Sequence, residues 1–332
     1  MSTPDVRPLS PEIPSTLSSL IQTRVPLADK NWFKTGGHAR YYAAPKTAGE
    51  FQQALAYARE HNLPVFVLGC GANILISDHG FDGLVIQPHL EDISYSLVEA
   101  GTAIVHVGAG VQMDTLIEYC LQHNIIGLEE FSGIPGTVGG SVYINLHYFE
   151  FLLEQFLLKC QVIDKATGQI FTVDTDWFNF DYNQSTLQKH EHYLVAATFK
   201  LRKVSDLETA YAKGRRTEIM RHRYKRYPTS HTCGSFFRNF REDEVALTTA
   251  TGKPLIFVAY YLDKIGVKGA LKVGNASVSH QHANMLLNNG TATSDDLINL
   301  ARTMQELVRK EFGVTPQPEC ILVGFKEYPL LK

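Results

Sequence analysis

The chain has 332 residues, with 31 Lys and Arg against 34 Asp and Glu, for a formal net charge of −3. Hydrophobic residues make up 44 % and charged residues 20 %, proportions that exclude disordered, collagen-like, coiled-coil and disulfide-scaffold classes. So even a charge balance also argues against a chain whose main work is wrapping nucleic acid.

Residues 1–30 are Pro- and Ser-rich at first, with a short apolar segment from Leu17 to Val25, and read as a loose arm holding one short helix at most. Met1 to Ser19 lacks the basic start and apolar stretch of a secretory signal. No run reaches the roughly 18 apolar residues of a membrane span. The five cysteines, Cys70, Cys120, Cys160, Cys233 and Cys320, are scattered without a CxxC, so a reduced, cytoplasmic chain is expected.

From Asn31, NWFKTGGHARYYAAP puts a Gly-Gly pair between aromatic stretches and predicts strand–turn–strand ending at Pro45. Ala48–Glu60 has helical apolar spacing. Pro64–Leu68, Ile74–Ile76 and Leu84–Ile86 read as strands broken by Gly69 and Gly71; Ala103–Gly108 alternates as another strand, and Met113–Gln122 is a helix. Leu158–Asp164 and Gln169–Val173 form a hairpin around Ala166-Thr167-Gly168, and Leu194–Leu201 is a further strand. The texture changes at Val204. Asp206–Arg226 is a long polar helix leading into a second domain, which carries a helix near Phe257–Lys264, a strand at Asn284–Asn288, a helix Ser294–Phe312 capped by Ser294, and a closing strand at Cys320–Gly324.

Glycine position carries the functional signal. In Leu68-Gly69-Cys70-Gly71-Ala72-Asn73, glycines after a strand let backbone N–H groups converge into a nest for phosphate. The spacing is not GxGxxG, which argues against a Rossmann site. Ser132-Gly133-Ile134-Pro135-Gly136-Thr137-Val138-Gly139-Gly140 packs four glycines and a proline into nine residues. Either cluster alone is explained by a tight turn. Two in one domain suggest a large diphosphate-bearing cofactor.

NWFKTGGHARYY, LGCGANILISDHGFDGLVI, GIPGTVGGSVYIN and CGSFFRN resemble, in order and spacing, motifs of the UDP-N-acetylenolpyruvoylglucosamine reductase family, the flavoenzymes of peptidoglycan precursor synthesis. VSHQHAN, the helix 293–313 and QPECILVGF extend the likeness over roughly Asn31 to Phe325. The resemblance implies an α+β chain: an FAD-binding fold of the vanillyl-alcohol-oxidase type at 31–202, in subdomains of about 31–88 and 89–202, then a smaller α+β substrate domain at 203–332. FAD would lie against Gly69, Cys70, Gly71, Ala72 and Asn73, and against Ser132, Gly133, Ile134, Pro135, Gly136, Thr137, Gly139 and Gly140, with Gly36 and Gly37 counted in the same site. NADPH would be the reductant and a UDP-sugar enolpyruvyl ether the substrate. The setting would be cell-wall biogenesis, with its bearing on cell shape and division, in a monomer without nucleic-acid or membrane partners.

Such a reduction needs a hydride at one carbon, a proton at the next and stabilisation of the enolate between. By motif position the resemblance makes Ser235 the proton donor and Glu319 the carboxyl that meets the accumulating charge. A turn serine satisfying backbone groups and a surface glutamate after Pro316 and Pro318 are the plain readings of those residues without it. The family usually shows Tyr-Arg-x-Ser, whereas this chain has Tyr182-Asn183-Gln184-Ser185, so Asn183 stands at the arginine position. Its usual Asn-Ala-Gly-Ala-Tyr-Gly is replaced by Asn145 and LHYFEF, and Ser-Ala-Gly-Ser by Thr232-Cys233-Gly234-Ser235. Tyr182, Lys225, Arg238, Asn239 and Gln281 fall where the family touches substrate. This altered wall leaves two alternatives, a flavoprotein of the same fold with another substrate and a flavin binder without catalysis. His280 and His282 on one strand face lack the third ligand a metal needs, so no metal is expected. The basic stretch Arg215–Arg226 reads as a solvated helix face or a diphosphate contact.

Overall fold

The computed structural model describes residues 13–99 and 101–332; residues 1–12 of the expected arm lie outside that range. The rest of that arm is not loose. A 3-10 turn at Ser15–Leu17 leads into strand β1 (Ile21–Pro26), which pairs antiparallel with β2 (His38–Ala43). The segment expected to be at most a short helix is thus mainly an edge strand. Asn31–Phe33, expected as a strand, is a turn instead, because the Asn31 carboxamide ties down the carbonyls of Leu27 and Thr35 at 2.8 and 2.7 Å.

Helix α1 (Ala48–Glu60) starts where the Thr47 side chain accepts the Glu50 N–H at 3.1 Å. Then come β3 (Val65–Val67), β4 (Ile74–Ile76) and β5 (Phe81–Ile86). Strands run in the order β1-β2-β5-β3, with β5 parallel to both β2 and β3. The helix closes the sheet through a core of Tyr41, Phe51, Leu55, Tyr57, Leu84 and Ile86.

A second sheet comes next in the chain. It uses β6 (Ile93–Glu99), β7 (Thr102–Gly108), helix α2 (Met113–Gln122), β8 (Ile125–Ile126), helix α3 (Val138–Tyr143), the short hairpin β9 (His147–Tyr148) and β10 (Phe151–Leu152), β11 (Leu157–Asp164), β12 (Ile170–Asp174) and β13 (His192–Lys203). The order is β12-β11-β13-β7-β6, all antiparallel, with β8 added beside β13. Helices α2 and α3 bury Met113, Leu116, Ile117 and Val142 against Val105, Val107 and Phe199. Strand β6 is not among the expected elements although Ile93, Tyr95 and Leu97 alternate with serines; Ile93 and Tyr95 pack on the core while Leu97 and Val98 stay exposed on this edge.

Helix α4 (Asp206–Arg226) begins with a reciprocal cap between Ser205 and Glu208. Beyond it lie α5 (Val258–Lys264), the three-stranded antiparallel sheet of β14 (Lys272–Val273), β15 (Ala276–Val278) and β16 (Leu286–Asn288), helix α6 (Ser294–Phe312) and β17 (Ile321–Val323). The cap of α6 is Thr293, whose side chain accepts the Asp296 N–H at 3.0 Å. Ser294, expected there, is the first helical residue and bonds Asp78 of the first domain instead. Phe236, Phe237, Tyr261, Leu297, Leu300 and Met304 form this domain's core. The chain then returns: β17 pairs parallel with β4, Ile321 opposite Ile74, and so stitches the last strand to the glycine turn of the first domain.

Candidate active site

One large cavity, of about 920 Å3, is lined by the turn after β3, the loop into α3, the end of α4 and residues of the C-terminal part, 232–235 and Glu319 among them. Its wall includes Gly69, Cys70, Gly71, Ala72 and Asn73 from the turn after β3, and Gly133, Ile134, Pro135, Gly136, Thr137, Gly139 and Gly140 from the loop into α3. Two conformations explain the glycines best. Gly71 has φ +69° and a Cβ there would sit 2.4 Å from the Lys30 carbonyl; a Cβ on Gly69 would sit 2.8 Å from Thr137 Oγ1, so the two loops touch. Among the described residues, the backbone N–H groups of Gly69, Gly71, Asn73, Gly133 and Gly136 have no hydrogen-bond acceptor. Orphan donors converging on a cavity are what a diphosphate requires, so these residues fit FAD.

Three of the expected cofactor residues are elsewhere. Gly36 and Gly37 face away from the cavity: a Cβ on Gly36 would meet Ile76 and one on Gly37 would meet the Asp78 carbonyl at 2.3 Å. Their glycine character serves close packing against the end of β4 and the loop that follows it. Ser132 is fully buried behind its loop and donates to the Glu129 carbonyl at 2.6 Å.

The opposite wall is built from three separate parts of the chain. Gly234, at φ +80°, turns the chain into Ser235, which bridges to Met285. The Asn284 side chain then imitates a strand, accepting the Phe237 N–H at 3.0 Å and donating to its carbonyl at 2.7 Å. On the other edge, the Phe236 carbonyl accepts the N–H groups of Glu319 at 2.8 Å and Cys320 at 3.2 Å. Ser235 and Glu319 thereby share a short three-stranded patch lining the cavity. Burial alone raises the Glu319 carboxyl to about 7, which keeps much of it protonated near neutrality.

Asn183 and Tyr182 enter from a turn that Ser185 and Gln188 pin to the α3 end, Ser185 Oγ donating to the Tyr143 carbonyl at 2.7 Å and Gln188 Nε2 to the Asn183 carbonyl at 2.7 Å. Asn183 has φ +56°, and both polar atoms of its carboxamide are buried without a partner. An orphaned donor and acceptor on a cavity wall await a ligand. The Tyr182 hydroxyl accepts from Asn239 Nδ2 at 3.3 Å, and its ring stands 4.8 Å from that of His147.

Other expected substrate residues lie off this wall. Lys225 and Gln281 bond each other at 3.4 Å outside the cavity. Arg238 is clasped by both oxygens of Glu244 at 2.7 Å, which holds the Glu244 carboxyl at about 2. His280 and His282 occupy a turn between β15 and β16 rather than a strand face; His282 reaches the cavity and His280 is exposed.

Sequence reasoning singled out the basic stretch of α4 but not the residue that matters in it. Arg223 is the one Lys or Arg among the described residues of the cavity wall. Its Nε donates to the Gly133 carbonyl at 3.0 Å, and its guanidinium covers the rings of Tyr148 and Tyr227. Helical spacing alone gives Arg223 the look of its exposed neighbours; only the docking of α4 on the glycine loop distinguishes it.

Fold and cavity together define a two-domain flavoprotein. Residues 39–174 match the FAD binding domain family, and residues 226–323 match the C-terminal domain of UDP-N-acetylenolpyruvoylglucosamine reductase. The chain belongs to the UDP-N-acetylenolpyruvoylglucosamine reductase family, a family of oxidoreductases. It is 33 % identical over 304 residues to the enzyme of that name from Lactobacillus delbrueckii subsp. bulgaricus, covering 92 % of this chain and 95 % of the relative. The corresponding protein from Synechococcus sp. (strain WH7803) is 31 % identical over 310 residues, covering 92 % and 94 %. The crystal structure of the Thermus caldophilus reductase superposes with a TM-score of 0.72 at 26 % identity, covering 91 % of this chain and 98 % of that one.

Proposed function

We propose that this chain reduces the enolpyruvyl ether of UDP-N-acetylglucosamine enolpyruvate to UDP-N-acetylmuramate, with FAD as cofactor and NADPH as reductant. One observation carries the reading. A single cavity joins two glycine loops with orphan N–H donors to a wall holding Ser235, Glu319 and the unpartnered Asn183. Family membership and an FAD-binding domain support it.

Residues 69–73 and 133–140 would hold FAD, which when bound supplies the hydride. Hydride arrival at the terminal enolpyruvyl carbon leaves negative charge on the adjoining carbon and its carboxylate. Glu319 suits that charge because its buried carboxyl keeps a proton to donate as a hydrogen bond. The Asn183 carboxamide offers a second donor with no competing partner. Ser235 delivers the proton that completes the product. Arg223, on the glycine-loop side, faces the anionic groups of cofactor or substrate. A cytoplasmic setting fits the substrate, and no helix of the described residues is long and apolar enough to cross a membrane.

NADPH oxidation by the purified protein tests this. The expected result is oxidation that depends on the enolpyruvyl UDP-sugar and yields the lactyl ether. Flavin reduction without substrate turnover would point to a different substrate, in keeping with the altered wall. A protein that takes up no FAD would contradict the reading altogether.

A further inference from the structure

The reaction just proposed builds a second negative charge on a carboxylate, yet among the described residues no lysine or arginine lines the cavity beside Ser235, Asn183 and Glu319. Arg223 is committed to the far side, bonded to Gly133 and packed over Tyr148 and Tyr227. Arg238 is outside the cavity wall and clasped by Glu244. Among the described residues lining this end of the cavity, a histidine is the side chain that can supply a positive charge.

Four histidines line the cavity. His282 Nδ1 accepts the Asn284 N–H at 3.3 Å, and burial with Arg226 nearby pushes its ring down to about 4, so it stays neutral. His192 Nε2 is turned to Asp164 at 3.3 Å, within the second sheet. His190 packs on Tyr143 at 6.0 Å, and burial together with nearby Lys165 opposes its protonation. His147 is set apart by position: its ring lies 4.8 Å from that of Tyr182, the residue before Asn183, and the Tyr182 phenol is within electrostatic range of Glu319.

We propose that His147 is a catalytic residue of this site, contacting the enolpyruvyl carboxylate and becoming imidazolium as the anion binds, so that the cation arrives with the substrate. This rests on the reductase reading. Around the His147 hairpin stand Tyr148, with Arg223 over its ring, and Glu150; the 3-10 turn Glu129–Phe131, carrying Glu129 and Glu130, packs against the same strand, and on the opposite loop Asp181 precedes Tyr182, which has Glu319 and Arg238 within electrostatic range. Glu129 is occupied by the Gly127 N–H at 2.6 Å, Glu130 by Arg215 at 2.8 Å and Asp181 by the Tyr182 N–H at 2.7 Å. Burial alone holds the free ring below its ordinary value, so near pH 7 it is mostly neutral and able to take a proton. A bound carboxylate at hydrogen-bond distance favours the charged form and reverses the effect of burial.

The test uses the FAD-loaded protein and the enolpyruvyl UDP-sugar. Calorimetry at pH 7.5 in buffers of different ionisation enthalpy counts the protons taken up on binding. Wild type takes up a fraction that His147→Gln loses; any share due to Glu319 remains in both. Turnover tells the same story: kcat/KM of His147→Gln falls about 100-fold, the scale of losing one charge-stabilising donor. The decline of kcat/KM with rising pH flattens as well, while FAD content and NADPH-driven flavin reduction stay as in wild type. A titration of the His147 ring by NMR in wild type, with and without substrate, needs no variant and should show the ring titrating at higher pH in the complex. Unchanged proton uptake and an unshifted His147 titration, with turnover intact, overturn the assignment and spare the reductase reading. A wild type that neither binds the sugar nor turns it over removes both.

Discussion

The two ends of the cavity are made of different material. At the glycine end the functional groups are backbone N–H donors, fixed by strand β3, helix α3 and the contact of Gly69 with Thr137. At the other end they are side chains, Ser235, Glu319, Asn183 and His147, brought from segments far apart in the chain. A backbone site asks only that side chains stay away, so its residues are few in kind and local in sequence. A side-chain site depends on which residue stands at each position, and this is where the chain departs from its family's usual motifs. The glycine end carries the motifs that resemble the family's, and the proposed reacting end is where the expected motifs are replaced.

Substitutions break or sharpen that contrast. The largest effect belongs to Ser235→Ala, which should lower kcat by about 100-fold or more, the usual share of a positioned proton donor, while FAD stays bound and NADPH still reduces it. Normal turnover in this variant would remove Ser235 from the chemistry. Gly69→Val should do the reverse. Its side chain invades Thr137, and a clash costing about 1–3 kcal/mol weakens FAD binding about 10- to 100-fold, read by flavin retention on dilution.

Next comes pH. The Glu319 carboxyl sits at about 7 when folded and near its ordinary 4.5 when unfolded. The folded chain therefore holds the extra proton between those values, and stability falls as pH rises through that window. The full cost, on the order of 3 kcal/mol, is reached above pH 7. Glu319→Gln should melt higher than wild type at pH 8, with a flatter dependence of melting temperature on pH, yet turn over at least tenfold more slowly. Equal melting temperatures at pH 8 would mean that Glu319 carries no burial penalty. The smallest effect is Glu244→Gln. Breaking this partly exposed pair with Arg238 should cost about 1 kcal/mol or less and leave KM within about twofold. A clear fall in KM would show Arg238 being withheld from substrate.

Legibility in the sequence followed the same division. Met113–Gln122 stands where apolar spacing puts it and Asp206–Arg226 where its run of helix-forming residues does, since both signals are local. Both glycine loops were visible for a related reason: a run of glycines is costly unless backbone must come close. Gly36 and Gly37 show where a glycine pair misleads, because what they approach is the end of β4 and the loop from it, at Ile76, Asp78 and Gly80, and not a ligand. Ser235 and Glu319 were reachable only by motif, and nothing local shows that Asn284 and the Phe236 carbonyl bring them together. Arg223 and His147 could not be picked out at all. Their roles depend on which wall α4 and the β9–β10 hairpin are packed against, and local pattern holds no record of that.

The central claim, that one cavity couples a flavin bound by backbone to a reduction carried out by side chains, is met most directly by a half-reaction. FAD bound to the protein is reduced anaerobically with one equivalent of NADPH, the enolpyruvyl UDP-sugar is added, and recovery of the oxidised flavin band is followed in wild type and Ser235→Ala. Prompt recovery is expected in wild type, with formation of the lactyl ether, and recovery at least tenfold slower in the variant. A wild-type flavin that stays reduced in the presence of the sugar would contradict it.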